Sequence, residues 1–140
     1  LDIIPVSREG QAIPTAAGLA VGGKKPVVLI QNTGLLESGD SLRGTAIRMG
    51  APIPILVTGR GYSKMERAGL TPSEPREGDL LTRRDIDSVA LFTEPTLDAW
   101  GVPFERCESE DDPSAALART IEAARCTERP TAVVMARELT

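Results

Sequence analysis

The chain has 140 residues, 16 Lys and Arg against 20 Asp and Glu, a formal net charge of −4, and no histidine. The missing histidine excludes a Ser-His-Asp triad, a Cys-His dyad and His-rich zinc sites built from this chain alone. Proton transfer near neutral pH must then use a shifted carboxylate, a cofactor or a group from a partner chain.

The length fits one domain, and a hydrophobic content of 41% supports a folded core rather than disorder. Aromatics are scarce (Tyr62, Phe92, Trp100 and Phe104), so Val, Ile, Leu and Ala must fill that core. The mild acidity and the isolated basic pairs Lys24-Lys25 and Arg83-Arg84 argue against nucleic acid. The longest apolar runs, such as Val27 to Ile30, are too short to span a bilayer. No signal peptide is visible, and Cys107 and Cys126 form no CxxC pair. They read as reduced thiols of a cytoplasmic protein. Leu1, not Met, opens directly into an apolar run, and the expectation is that a segment precedes it.

In chain order, Asp2 to Val6 reads as a short strand. Gln11 to Val21, rich in Ala and Gly, predicts a helix with Pro14 in its first turn, stopped by Gly22-Gly23. Pro26 to Ile30 is a continuous apolar strand of the kind buried on both faces, followed by the polar loop Gln31-Asn32-Thr33-Gly34. Asp40 or Ser41 caps a helix reaching about Met49. Ile53 to Thr58 is a second buried strand, and Gly59-Arg60-Gly61 is the loop beyond it.

Residues 63–87 are charged and contain Gly69, Pro72, Pro75 and Gly78, which predicts a long excursion with one helical turn. Thr93 caps the next helix, with Pro95 in its first turn and its end at Gly101. Pro103 to Cys107 is a short strand. Asp112 caps and Pro113 starts an amphipathic helix through Ala124, and Thr131 to Met135 is the last strand. Strands alternating with helices predict an α/β fold, a parallel sheet with helices on both faces.

Two glycine-rich stretches mimic nucleotide sites. In Gly18 to Lys24, Lys25 stands where Ser or Thr should bind magnesium, and the glycines follow a helix instead of preceding one. After Gly59-Arg60-Gly61, Lys64 takes the third glycine position of a dinucleotide fingerprint. Neither motif is complete.

Three loops follow predicted strands: Ser7 to Gly10, Gln31 to Gly34, and Gly59 to Gly61. In a parallel sheet all three lie at the carboxyl edge, where ligands bind. Gln31 and Asn32 offer neutral donors and acceptors, Arg60 a cation, and Glu9 a carboxylate at a helix start. Glu9 has two readings here: it satisfies a helix N-terminus, or it carries chemistry. Gln31 to Gly34 can likewise be a turn satisfying its own backbone.

Ile3-Ile4-Pro5-Val6-Ser7-Arg8-Glu9-Gly10, the Ala/Gly-rich helix, Gly22-Gly23-Lys24-Lys25, and Gln31-Asn32-Thr33-Gly34-Leu35 together carry a family pattern. With Ile53-Pro54, Arg60-Gly61 and the strand after Arg129-Pro130, they resemble the pyrimidine-binding (Pyr) domain of thiamine-diphosphate enzymes. The sulfopyruvate and phosphonopyruvate decarboxylase group is the nearest within it. The resemblance is good over residues 2–61 and loose over 93–138. It implies a single Pyr-type domain over 1–140, short of its first strand and helix, with 63–87 as an insertion.

The resemblance also implies roles. Glu9 would hydrogen-bond the pyrimidine ring nitrogen of thiamine diphosphate and so help the cofactor lose its thiazolium C2 proton. A carboxyl set among Ala and Gly is expected to be poorly solvated, which favours sharing that proton. Gln31, Asn32 and Thr33 would contact the cofactor; Asn32, Thr33, Gly34 and Arg60 would contact a small 2-oxo acid. Where the family has Leu-Gly-Asn, this chain has Leu35-Leu36-Glu37. Glu37 would repel a sulfonated or phosphonated substrate unless it points away.

The family's diphosphate- and Mg²⁺-binding motif, Gly-Asp-Gly followed by Asn, is not met by Gly39-Asp40-Ser41 or by Gly78-Asp79-Leu80. The resemblance therefore implies an α subunit of a decarboxylase whose β subunit holds the diphosphate and Mg²⁺, with no metal ligand on this chain. The alternatives are a fragment of a single-chain phosphonopyruvate decarboxylase, or a non-catalytic module that binds a small ligand or partner.

Overall fold

A computed structural model describes residues 2–72 and 78–136. Leu1, the excursion's residues 73–77 with Pro75, and residues 137–140 lie outside the described residues. The sheet has four parallel strands, β1 (Val28–Gln31), β2 (Pro54–Thr58), β3 (Phe104–Cys107) and β4 (Thr131–Met135), in the order β1-β2-β4-β3. The helices are α1 (Glu9–Val21), α2 (Asn32–Glu37), α3 (Gly39–Ser41), α4 (Tyr62–Arg67), α5 (Ser88–Ala99) and α6 (Pro113–Thr127). A π-helical stretch, Leu42–Ile47, continues α3, and a 3-10 turn spans Leu80–Thr82.

Alternation along the strands produces two layers, because successive side chains leave a strand on opposite faces. Ile55, Val57, Ala132 and Val134 join one large core with Ile13 and Ala17 of α1, Leu42 and Leu97. Val133 and Met135 face the other way, into a small core with Cys107 and Ala116 of α6. Helices therefore cover both faces, as the alternation of elements predicts. Every residue of β4 is buried, as suits its place between β2 and β3. Fully burying such a Val or Ile contributes about 1.5–3 kcal/mol.

Several local expectations hold. Gly22 caps α1, and Gly23 follows with φ +78, a conformation glycine adopts freely. Asp112 caps α6 by accepting from the Ser114 N–H at 2.9 Å, with Pro113 next in line.

Others change. Residues 2–6 form no strand and are exposed. An isolated extended segment leaves its backbone groups to water, and no neighbouring strand pairs with it here. β1 is buried on one face only: Leu29 is 69% and Val27 46% exposed. Lying at the sheet's edge, it takes helix packing on one side among the described residues. Pro14 sits beyond the first turn of a helix that starts at Glu9, not Gln11. α5 begins at Ser88, five residues before Thr93, with Asp87 as its cap through the Val89 N–H. Thr93 is instead a buried mid-helix residue. The excursion contains α4 and the 3-10 turn, so it is more ordered than its composition predicts.

Gly59 joins β2 to the next loop by donating its N–H to the Met135 carbonyl at 3.0 Å. A Cβ on Gly59 would overlap that same carbonyl oxygen and come within 2.9 Å of Tyr62 Cδ2. Gly59→Ala should therefore cost about 1–3 kcal/mol of stability through overpacking, read as a lower Tm in thermal unfolding. A wild-type Tm would show that the loop can back away from β4.

Candidate active site

β1 and β2 run side by side and end together, with Gln31 paired to Thr58. The loops that follow, 31–34 and 59–61, thus leave the same carboxyl edge of the sheet. Asn32 joins them. Its Nδ2 donates to the Arg60 carbonyl at 2.9 Å and to Thr93 Oγ1 at 3.2 Å. Its Oδ1 accepts from the Arg60 N–H at 3.1 Å and from the Thr33 N–H at 3.1 Å. Thr93 Oγ1 passes its own proton to the Val89 carbonyl at 2.7 Å. Asn32 is wholly buried. Its amide is fully used within the chain, as a tie between β1, the Arg60 loop and α5.

Glu9 reaches the same edge from α1. Its side chain lies directly over Gly34: a Cβ on Gly34 would overlap Glu9 Cγ and sit 2.8 Å from Glu9 Cβ and Cδ. The absent side chain at Gly34 is the space Glu9 occupies. Glu9 itself is exposed, not poorly solvated as its small neighbours predict. Its neighbours on α1 turn Ile13, Ala16 and Ala17 inward, leaving the first turn outside the core.

Glu37, at the far end of α2, points away from Glu9's open side. It accepts from Arg8 Nη2 at 2.8 Å and from the Gly10 N–H at 2.6 Å. The repulsion expected of a free Glu37 is thereby removed, since its charge is matched by a guanidinium and a helix N-terminus.

Gln31 and Thr33 are exposed beside Glu9's perch on Gly34, and Gly34 is buried. Arg60 projects its side chain into solvent but is held by Asp87, Nε to Oδ2 at 2.9 Å. The structure therefore brings Glu9 and Gly34 into contact and ties Asn32 to Arg60. Glu9, Gln31, Thr33 and Arg60 remain open to a ligand. Among the described residues, no group of three or more His, Cys, Asp or Glu is placed to hold a metal ion.

Behind the Arg60 loop lies a network that sequence reasoning missed. The Tyr62 hydroxyl donates to Glu94 Oε1 at 3.0 Å. The Arg106 guanidinium stacks over the Tyr62 ring at 5.4 Å and pairs with Glu94 at 3.6 Å, Glu66 at 3.2 Å and Glu108 at 2.5 Å. It fastens α4 to α5 and β3. Burial, then the Glu94 charge, raises the Tyr62 hydroxyl above its ordinary value. Burial raises the Glu94 carboxyl, against the pull of Arg106.

No family model matches the chain. Over 83 residues it is 32% identical to sulfopyruvate decarboxylase subunit alpha of Methanothermobacter thermautotrophicus, covering 59% of this chain and 50% of that protein. Over 61 residues it is 36% identical to sulfopyruvate decarboxylase of Methanosarcina acetivorans, covering 44% of this chain and 16% of that protein. The chain is similar to sulfopyruvate decarboxylases. The similarity agrees with the pattern read from residues 2–61, and it spans half or less of each relative's length. A solved benzoylformate decarboxylase from Polynucleobacter necessarius superposes with a TM-score of 0.49 at 15% identity, covering 87% of this chain and 22% of its own. No helix among the described residues is long and apolar enough to cross a membrane.

Two predictions follow from the buried polar groups. Asn32→Ala strands the Arg60 backbone pair and leaves Thr93 Oγ1 without its donor. It should cost about 2–4 kcal/mol, at about 1–3 kcal/mol for each orphaned buried group, measured by urea unfolding. Glu94 binds its proton more tightly folded than unfolded. The stability this gives is present below its ordinary value of 4.5 and is lost as pH rises through the raised value. Glu94→Gln removes that titration while keeping an acceptor for Tyr62. Its Tm relative to wild type should therefore climb between about pH 4 and about pH 7, and a flat difference would contradict the assignment.

Proposed function

We propose that this chain is the pyrimidine-binding, α-type part of a thiamine-diphosphate-dependent 2-oxo acid decarboxylase, sulfopyruvate decarboxylase-like. The observation that carries the reading is Glu9: an exposed carboxylate at the head of a helix, seated on Gly34 at the carboxyl edge of a parallel sheet. It is also the glutamate that the Arg-Glu motif of the resemblance singles out. The similarity to sulfopyruvate decarboxylases, one of them a subunit alpha, supports the same reading.

The residues present fit one end of the cofactor. Thiamine diphosphate, when bound, supplies the electron sink that decarboxylation needs. Glu9 would hold a proton at the pyrimidine ring nitrogen, and Gln31 and Thr33 would line the adjoining surface. Arg60 would offer charge to the carboxylate or sulfonate of the substrate. Asn32 would serve from behind, fixing the Arg60 loop and Thr33 instead of touching ligand. The diphosphate and Mg²⁺ would fall to a β subunit, for which the described residues offer no substitute. That subunit would also cover Glu9 and exclude water from it, the burial that this chain does not provide. Sites of this kind form where two domains meet.

Co-expression with the candidate β subunit, followed by assays on sulfopyruvate, phosphonopyruvate and simpler 2-oxo acids with thiamine diphosphate and Mg²⁺, tests the proposal. Glu9→Gln should lower kcat by about a hundredfold or more while the two subunits still co-purify. Wild-type turnover in that variant would sink the assignment of Glu9. Gly34→Ala should act in the same direction, because its methyl group displaces Glu9. If no 2-oxo acid is consumed by the assembled pair, the binding-module reading takes its place.

A further inference from the structure

We infer that Glu37 is a positioning residue for Glu9, a clamp that sets the height and direction of the carboxylate from the backbone on either side of it. The inference rests on the reading of Glu9 given above. α1 has no cap of its own: its N-cap residue is Arg8, which makes no side-chain capping bond. The first turn is instead held from another helix. One Glu37 oxygen takes the Arg8 guanidinium at 2.8 Å, and the other takes the Gly10 N–H at 2.6 Å. The two partners are the residues immediately before and after Glu9.

α2 thus acts on Glu9 at both of its ends. Gly34, in its first turn, leaves the space that the Glu9 side chain fills. Glu37, its last residue, fixes the backbone from which that side chain springs. Three residues apart on a helix, the two positions share a face. The second constraint matters because the first turn of α1 is otherwise solvent-exposed, and an unheld first turn frays. Glu37→Ala also opens space beside Gly10, since a Cβ there would lie 3.0 Å from Glu37 Oε2. The Asn expected at this position from the resemblance is a residue shorter in reach. The longer Glu meets the Gly10 N–H and Arg8 at once.

The test uses the full-length protein with its partner subunit and compares Glu37→Ala, Glu37→Gln and Glu9→Gln. Amide hydrogen exchange over residues 8–11 without cofactor reports the clamp. Calorimetry gives the thiamine diphosphate affinity. Exchange of the bound cofactor's C2 proton with solvent, without substrate, reports what Glu9 does. Glu37→Ala should speed amide exchange at Gly10, and both weaken cofactor binding and slow C2 exchange by about ten- to a hundredfold, the cost of a small misplacement. Glu37→Gln keeps an acceptor for the Gly10 N–H and should fall between Glu37→Ala and wild type. It carries the test alone if the alanine variant does not fold.

Faster amide exchange with wild-type affinity and C2 exchange overturns the inference, since Glu37 would then be only a helix cap. The same result with Glu9→Gln inactive in C2 exchange leaves the role of Glu9 standing. If Glu9→Gln exchanges C2 at the wild-type rate, the reading of Glu9 fails and the clamp falls with it.

Discussion

Asn32 is buried, and each hydrogen-bonding position of its amide is spent inside the chain. A parallel sheet leaves unpaired backbone groups wherever its strands run out, and those groups need partners if anything packs over them. Asn32 supplies both an acceptor and a donor to Arg60, so one side chain stands in for a strand that does not continue. It passes the constraint on to Thr93, which lies 61 residues away on α5. The loop after β2, the loop after β1 and the helix behind them are therefore a single unit. The exposed groups at that edge, Thr33 and the Arg60 side chain, owe their placement to an amide that faces away from solvent.

Rigidity at this edge is reinforced from the opposite side. Gly59 lies against the end of β4 with no room for a side chain, and Tyr62, the first residue of α4, is pinned to Glu94 beside Thr93. Arg106 closes the arrangement from β3. Three carboxylates surround that one guanidinium, and Glu94 is the most buried of them. A proton held preferentially there is the expected response of a desolvated acid with too few cations to share. Such a network is costly in desolvation and returns geometry: it orients α4 and α5 relative to each other. The scaffold invests in polar ties around the edge and leaves Glu9 on a helix turn that only α2 restrains.

Features set within a segment were legible in the sequence. Asp112-Pro113 announced α6, Gly22-Gly23 ended α1, and β2 and β4 were apolar runs of strand length. The pairing of Glu9 with residues 31–34 and of that loop with Arg60 followed once the sheet was taken as parallel, since its carboxyl edge collects such loops. Roles that depend on partners far along the chain were not legible. Thr93 has the composition of a cap, yet Asp87 caps α5, because Thr93 is drawn inward by Asn32 and the Val89 carbonyl. Residues 2–6 have the composition of a strand and lack a strand to pair with. Asn32 looked like a ligand contact because its residue type suits one; burial, which local sequence does not report, turned it into a tie.

Glu37 is the sharpest case of this kind, and it bears on how the site divides its charge. Two carboxylates, Glu9 and Glu37, meet at the head of α1, and both cannot do the same work. A carboxylate bonded to a guanidinium and a backbone N–H is stabilised as an anion and is a poor proton carrier. A carboxylate seated on a glycine, with no cation in its grip, keeps its lone pairs free. Glu37 takes the first role because its reach along α2 brings it to Arg8 and Gly10; Glu9 takes the second because its neighbours have already been claimed. The helix N-terminus, which would otherwise hold Glu9 as a bound anion, is thus occupied by a residue from another helix. That occupation separates the structural carboxylate from the one left to exchange a proton, in a chain that has no histidine to do so.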